Sequence, residues 1–157
     1  MSDSVNKEQL IKHLQGGEAF MALEDLIDKI SFEKLGEKPQ NLPYSFYELF
    51  YHIVFAQKDI LEYSISENYK SSEWPDDYWP KESTPDTEED WKKLKKDYFE
   101  DRERFKNFIL DTDIDLNLPV KNSDNHSLLR EIMLVIEHTA YHTGQMLIIL
   151  RLLGLYK

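Results

Sequence analysis

The stretch "EHTAYHTGQ", Glu137 to Gln145, places two of the chain's five histidines, His138 and His142, four residues apart. On a helix such positions share a face, about 40° apart around the axis. Two imidazoles so placed can grip one divalent ion, and imidazole suits zinc, nickel, iron and copper alike. An ion held this way and open to solvent acts as a Lewis acid on water, a thiol or a carbonyl. The same spacing also arises from two core histidines that each find a hydrogen-bond partner, and spacing alone leaves both readings open. Position 139 is Thr139, so the H-E-x-x-H pattern of zinc proteases, with its general-base glutamate, is absent.

The neighbours of the pair sharpen the question. Glu131, Leu134, Val135, Gln145, Ile149 and Leu152 all fall within about 60° of His138, so the histidines share the apolar stripe of their helix. A third imidazole, His52, sits in the middle of another helical segment, on a face with Glu48, Leu49, Ala56 and Asp59. Three histidines from two helices are the usual makings of an open catalytic site with water in the remaining positions. The chain has no cysteine, so a metal must be held by His, Asp, Glu or water, and the protein carries no sulfur nucleophile. Because a ligand must be deprotonated to bind, affinity is expected to fall as pH drops through the histidine range near 6.5.

Other candidates surround the pair. Gln145, on the histidine face, can orient a ligand. Tyr141, about 60° off the pair, can donate its hydroxyl to a bound group or merely pack. Glu131, two turns before His138, reads either as a general base or acceptor for the site or as a surface carboxylate. Gly144 leaves room for a helix or a substrate to approach beside the site. His13 and His126, the latter in the polar turn "KNSDNHS", have no such company and read as solvent-exposed.

The elements that must position these residues are helical. Leu10, Leu14, Leu23, Leu26, Ile27 and Ile30 recur at helical spacing from about Val5 to about Phe32, and at the Gly16-Gly17 pair either the helix bends or something packs very close, the second reading being preferred. Ser45 and Glu48 form a capping box, which predicts a second helix from Phe46. Thr87, followed by three acidic residues, predicts a third, continued by Trp91, Leu94, Tyr98, Phe105 and Phe108. The last runs from a Ser127 cap to Leu153, with Gly154 as its terminator. Between the second and third lies "YKSSEWPDDYWPKESTPDT", whose Pro75, Pro80 and Pro85 cannot continue a helix but whose length lets it run back along a bundle. Such a crossover allows the second and third helices to be parallel. Its Trp74, Tyr78 and Trp79 either lie flat on the bundle or roof a cavity.

Composition narrows the classes. A chain of 157 residues, 41% hydrophobic and 31% charged, is the size and make-up of one globular domain, taken here as residues 1–157. A formal charge of −11 would repel phosphate backbones, so nucleic acid is not expected as a partner. "MSDSVNKEQL" lacks the apolar core of a signal peptide, and no apolar run approaches the roughly 20 residues of a membrane span. A cytoplasmic protein with no membrane partner is expected.

"IEHTAYHTGQMLIILRLLG" resembles the C-terminal signature of the DinB-like proteins, in which a histidine pair closes the last helix of a four-helix bundle. "LPYSFYELFYHIVFAQKDIL" resembles the family's second helix, with its single histidine in the position of His52, and "YWP" before a helix opening at a tryptophan resembles its middle. The three histidines in this order with these neighbours carry the resemblance over nearly the whole chain. It implies an all-α, up-down-down-up four-helix bundle and a divalent metal, such as zinc, nickel or iron, held by His52, His138 and His142. It also implies a homodimer. Related subgroups are bacillithiol transferases and mycothiol isomerases, in which the metal activates a low-molecular-weight thiol. The expected function is therefore a metal-dependent hydrolase or thiol S-transferase acting on a small-molecule substrate, with Glu131, Tyr141 and Gln145 as assisting residues. The other readings are a bundle that binds a metal or small ligand without turnover, and a structural bundle whose histidines meet by chance.

Overall fold

The computed structural model describes residues 2–157, with side chains from Asn6 onward. Among them are five α-helices and no strand: α1 (Ser2–Gln15), α2 (Leu23–Ile27), α3 (Phe46–Ile65), α4 (Glu88–Leu110) and α5 (Leu128–Leu152). None is long and apolar enough to cross a membrane.

Each long helix downstream of the N-terminal region starts where a side chain can satisfy its free backbone N–H groups. Ser45 Oγ accepts from the Glu48 N–H at 3.1 Å, and the Glu48 carboxylate returns to the Ser45 N–H at 2.6 Å, closing the capping box of α3. Thr87 and Ser127 accept from the backbone N–H of Asp90 and Arg130, which opens α4 and α5. Gly154, at φ 72°, takes the left-handed conformation that ends α5.

The N-terminal region departs from the single helix that periodicity predicts. Gly16 and Gly17 stand at φ 81° and 87°, a region that ends a right-handed helix, and a Cβ on Gly17 would meet nothing within 4 Å. The pair therefore breaks the helix, going further than the bend that is the other reading, while a Cβ on Gly16 would stand in contact with Ala22 Cα and Phe20 at 3.4 Å. Leu14 before the break and Leu23, Leu26 and Ile27 after it are all buried, which is why their spacing reads as one stripe.

Side-chain contacts give the directions of the helices. Phe46, Leu49 and Phe50 of α3 share an apolar cluster with Met146, Ile149 and Leu150 of α5, while Leu61 joins Leu128, Ile132 and Val135. α3 and α5 are thus antiparallel. Phe50 packs on Trp91 with ring centroids 5.0 Å apart, Gln57 donates to the Tyr98 carbonyl at 3.0 Å, and Arg104 reaches Glu62 at 2.7 Å, so α3 and α4 run parallel. Lys7 donates to the Asp111 carbonyl at 2.6 Å and Arg102 to that of Leu14, so α1 runs against α4.

The crossover from α3 to α4 is fastened at its far end by the start of α3 itself. The buried Ser45 hydroxyl, besides capping, donates to the Ser83 carbonyl at 2.6 Å. Beside it Gly36 lets the chain pass close, since a Cβ there would stand 2.7 Å from Thr84 Cβ. Ser45→Ala removes the cap and leaves a buried carbonyl without its donor, and is expected to cost about 2 kcal/mol in unfolding free energy by urea titration. A loss under about 0.5 kcal/mol would show that neither hydrogen bond contributes as described.

Candidate metal centre

The antiparallel packing of α3 on α5 brings His52 against the His138 and His142 turn. Their ligand-capable nitrogens all lie within 4.8 Å of one another. His52 Nε2 and His138 Nε2 stand 2.9 Å apart, and the His52 ring centroid is 4.7 Å from those of both His138 and His142. His52 and His142 are buried and His138 is half-buried.

Hydrogen bonds fix which nitrogen faces inward on two of the rings. The Tyr78 carbonyl, 3.1 Å from His52 Nδ1, can only accept, so Nδ1 carries the proton and Nε2 keeps its lone pair. His142 Nδ1 lies 2.6 Å from Gln145 Oε1, likewise an acceptor, which leaves its Nε2 unprotonated. Gln145 is held in turn by its Nε2–H, which donates to the Tyr44 hydroxyl at 3.3 Å. Such outward acceptors are what orient metal-binding histidines and raise their basicity.

Burial keeps the rings neutral. Desolvation first, and then the neighbouring His142, lower the pKa of His52 to about 4, against the pull of the Tyr78 carbonyl. For His138 desolvation, the other two imidazoles and the Arg102 guanidinium lower it to about 3. His142 is lowered by desolvation, opposed by Gln145. Three desolvated neutral imidazoles, each offering a ligand-capable nitrogen within 4.8 Å of the others and with no carboxylate among them, are a donor set that fits one divalent ion of the kind imidazole prefers.

The crossover roofs this cluster. Trp79 stacks on His52 with centroids 4.2 Å apart and planes within 2° of parallel, and Tyr78 and Trp74 flank the same ring at 6.3 and 6.1 Å. Trp74 stays 65% exposed, so the aromatic roof also presents a face to solvent. On the α5 side Tyr141 is 67% exposed and sets its ring edge-on to His142 at 4.9 Å.

Glu131 stands apart. It lies about 10 Å along the axis from His138. It is buried, not on the surface, and its Oε1 accepts from Arg130 at 2.6 Å with His126 Nδ1 at 3.8 Å. A carboxylate so engaged at that distance cannot reach the imidazole cluster. His126 itself is half-buried and bonds the Tyr63 hydroxyl at 3.0 Å, while His13 is exposed. Sequence reasoning missed the Tyr78 carbonyl, a backbone group that no residue type announces. It also missed Tyr44 and the buried Arg102, which donates to Thr139 Oγ1 at 2.6 Å directly beside His138.

These pKa values correct the expected pH dependence. Protons compete for His52 and His138 only near pH 4 and below, and His142 is lowered too, so metal affinity should fall at a lower pH than the 6.5 expected for free imidazoles. Stability of the metal-free protein carries the other half of the linkage. Above pH 6.5 His52 and His138 are neutral in folded and unfolded chains alike; below it they take up protons only in the unfolded chain, so stability is lost as pH falls from 6.5 toward 4. Between pH 7 and 5, above most carboxylate titration, the metal-free wild type should lose about 1 kcal/mol per pH unit more for each neutral histidine than His52→Gln or His138→Gln variants do. Parallel stability profiles in urea would refute the neutral assignment.

No curated protein and no solved structure matches this chain. The sequence pattern of the DinB family matches residues 1–157, the whole chain. With three histidines brought together from two helices of an all-helical fold, the chain belongs to the DinB family.

Proposed function

We propose that the chain is an up-down-down-up four-helix bundle, α1 with α2 forming the first helix, built to hold one divalent metal ion at His52, His138 and His142 for chemistry on a small molecule. One observation carries the reading. The nitrogens of three imidazoles lie within 4.8 Å of one another, and on His52 and His142 the outer nitrogen is already committed to an acceptor. An ion bound there supplies Lewis acidity, and so a water or low-molecular-weight thiol nucleophile at neutral pH, which this cysteine-free chain lacks.

The chain's own residues do the rest. Gln145 and the Tyr78 carbonyl hold two imidazoles in their ligand tautomers. Trp79 covers His52 and keeps water from that side. Arg102, buried near His138, helps to keep that ring unprotonated. Tyr141 and Trp74 border the open approach, where the Tyr141 hydroxyl can donate to an incoming group. Three neutral imidazoles would leave a bound ion's charge uncompensated, a preference for small molecules that carry or can form an anionic group. Hydrolysis and thiol transfer both follow from that preference, with zinc, nickel or iron as the ion.

Homodimer formation belongs to the same proposal. Met133, Tyr141, Ile148 and Leu152 are exposed along α5 within about 100° of arc, around an exposed Gly144 that leaves room for a second helix. A single species of monomer mass in light scattering at micromolar concentration would end that part of the proposal.

The metal reading is tested by elemental analysis of purified protein with and without added zinc, nickel or iron. Wild type should hold one ion per chain, and alanine at any one of His52, His138 or His142 should lower occupancy. His13→Ala and His126→Ala should leave it unchanged. The loaded protein is then screened with electrophiles plus thiols and with simple esters and amides. Bound metal without turnover would leave a binding protein, whereas full occupancy in the triple alanine variant would refute the site.

A further inference from the structure

Three hydroxyl groups of the crossover converge on one carboxylate of α3. Asp59 Oδ2 accepts from the Tyr78 hydroxyl at 2.6 Å, and Oδ1 from the Tyr69 hydroxyl at 3.0 Å and from Ser72 at 3.4 Å. Among the described residues no lysine or arginine pairs with it, so its charge is answered by these hydroxyls. The two phenols stay protonated: burial and the Asp59 charge push Tyr69 up to about 12, and burial and the Asp59 hydrogen bond push Tyr78 higher still.

Asp59 follows His52 by seven residues, which places both on one face of α3 about 10 Å apart. Tyr78 spans that gap. Its hydroxyl is on Asp59, its ring packs edge-on against Phe55 at 4.9 Å, and its backbone carbonyl meets His52 Nδ1 at 3.1 Å. The Trp79 stack cannot do what this carbonyl does. Stacking sets the plane of the His52 ring, but a half-turn about the Cβ–Cγ bond returns the ring to that plane, preserves the stack and exchanges Nε2 with Cε1, turning the nitrogen away from His138 and His142. The acceptor at Nδ1 selects between the two orientations.

We infer that Asp59 is a positioning residue for the proposed centre: by holding the Tyr78 hydroxyl it keeps the Tyr78 carbonyl on His52 Nδ1 and the His52 Nε2 lone pair turned to the other two imidazoles. The inference rests on the metal reading above for its consequence and on hydrogen-bond geometry for its cause. Groups that orient a ligand histidine typically change metal affinity 10- to 100-fold when removed, and Asp59 acts one residue further out, so an effect of about tenfold is expected.

The test uses the full chain and two readouts, zinc affinity by competition with a chelator and the His52 ring Nδ1–H proton by ¹⁵N-edited NMR of the metal-free protein. Wild type should show a slowly exchanging Nδ1–H signal. Asp59→Ala and Tyr78→Phe should lose it and bind zinc about tenfold more weakly. Tyr69→Phe, which strips a different phenol from the same carboxylate, should keep the signal and bind within about twofold of wild type. Asp59→Asn retains an acceptor for Tyr78 and should recover most of the loss.

Should Asp59→Ala fail to fold, Tyr78→Phe carries the test, since it leaves the carboxylate with Tyr69 and Ser72. Unchanged signal and affinity in Tyr78→Phe would overturn the inference. So would an equal loss in Tyr69→Phe, which would mean that general anchoring of the crossover is what matters. Wild type that takes up no zinc sinks the metal reading alone, and the Nδ1–H signal then decides the positioning by itself.

Discussion

A neutral imidazole has one donor and one acceptor, and a buried one needs both answered. At the centre of this protein three such rings are packed against one another, with the donors of two fixed on the Tyr78 carbonyl and the Gln145 amide oxygen. Their remaining nitrogens have chiefly one another, as the 2.9 Å approach of His52 Nε2 to His138 Nε2 shows. Desolvation forbids the rings to resolve this by taking up protons. The His138 ring can answer His52 only by donating from Nε2, and one divalent cation could replace that single hydrogen bond by taking a nitrogen from each of the three rings.

Much of the surrounding architecture follows from keeping that cluster in place. α3 and α5 must be antiparallel and in register so that the middle of one meets the middle of the other, which the two apolar clusters at either end of the pair enforce. The crossover must return along α3 to set Tyr78 and Trp79 on His52. It is pinned at Asp59 early in its course and at Ser45 and Gly36 near its end. A long connection between parallel helices, which entropy alone would leave loose, is in this way tied to the helix that carries His52. The cost of ordering it is offset by hydrogen bonds and aromatic packing that also shape the approach to the site.

The parts of this arrangement that a sequence displays are those with a local cause. Ser45 with Glu48, Thr87 and Ser127 are read correctly as helix starts because a cap is a contact across three residues. The His138 and His142 face is legible because helical geometry fixes it, and His52 because its type is rare in the chain. What fails is non-local or conformational. The Gly16-Gly17 break was hidden because buried leucines on both sides kept the spacing of one helix. Glu131 shares a face with His138, yet face says nothing about height along the axis or about the competing Arg130. The Tyr78 carbonyl and the Asp59 anchor depend on how the crossover folds back, and periodicity is silent about that. The aromatic residues of the crossover read as lying flat or as roofing a cavity, and Trp79 lies flat, stacked directly on His52.

The central claim is that these three imidazoles share one ion. A crystal structure of the protein grown with zinc, with anomalous data collected at the metal edge, addresses it most directly. A shared ion would give one anomalous peak with the Nε2 atoms of His52, His138 and His142 each at about 2.1 Å and at least one position left to a non-protein ligand. An ion bound by His138 and His142 with His52 more than about 4 Å away, or no peak among the three rings at all, would contradict it.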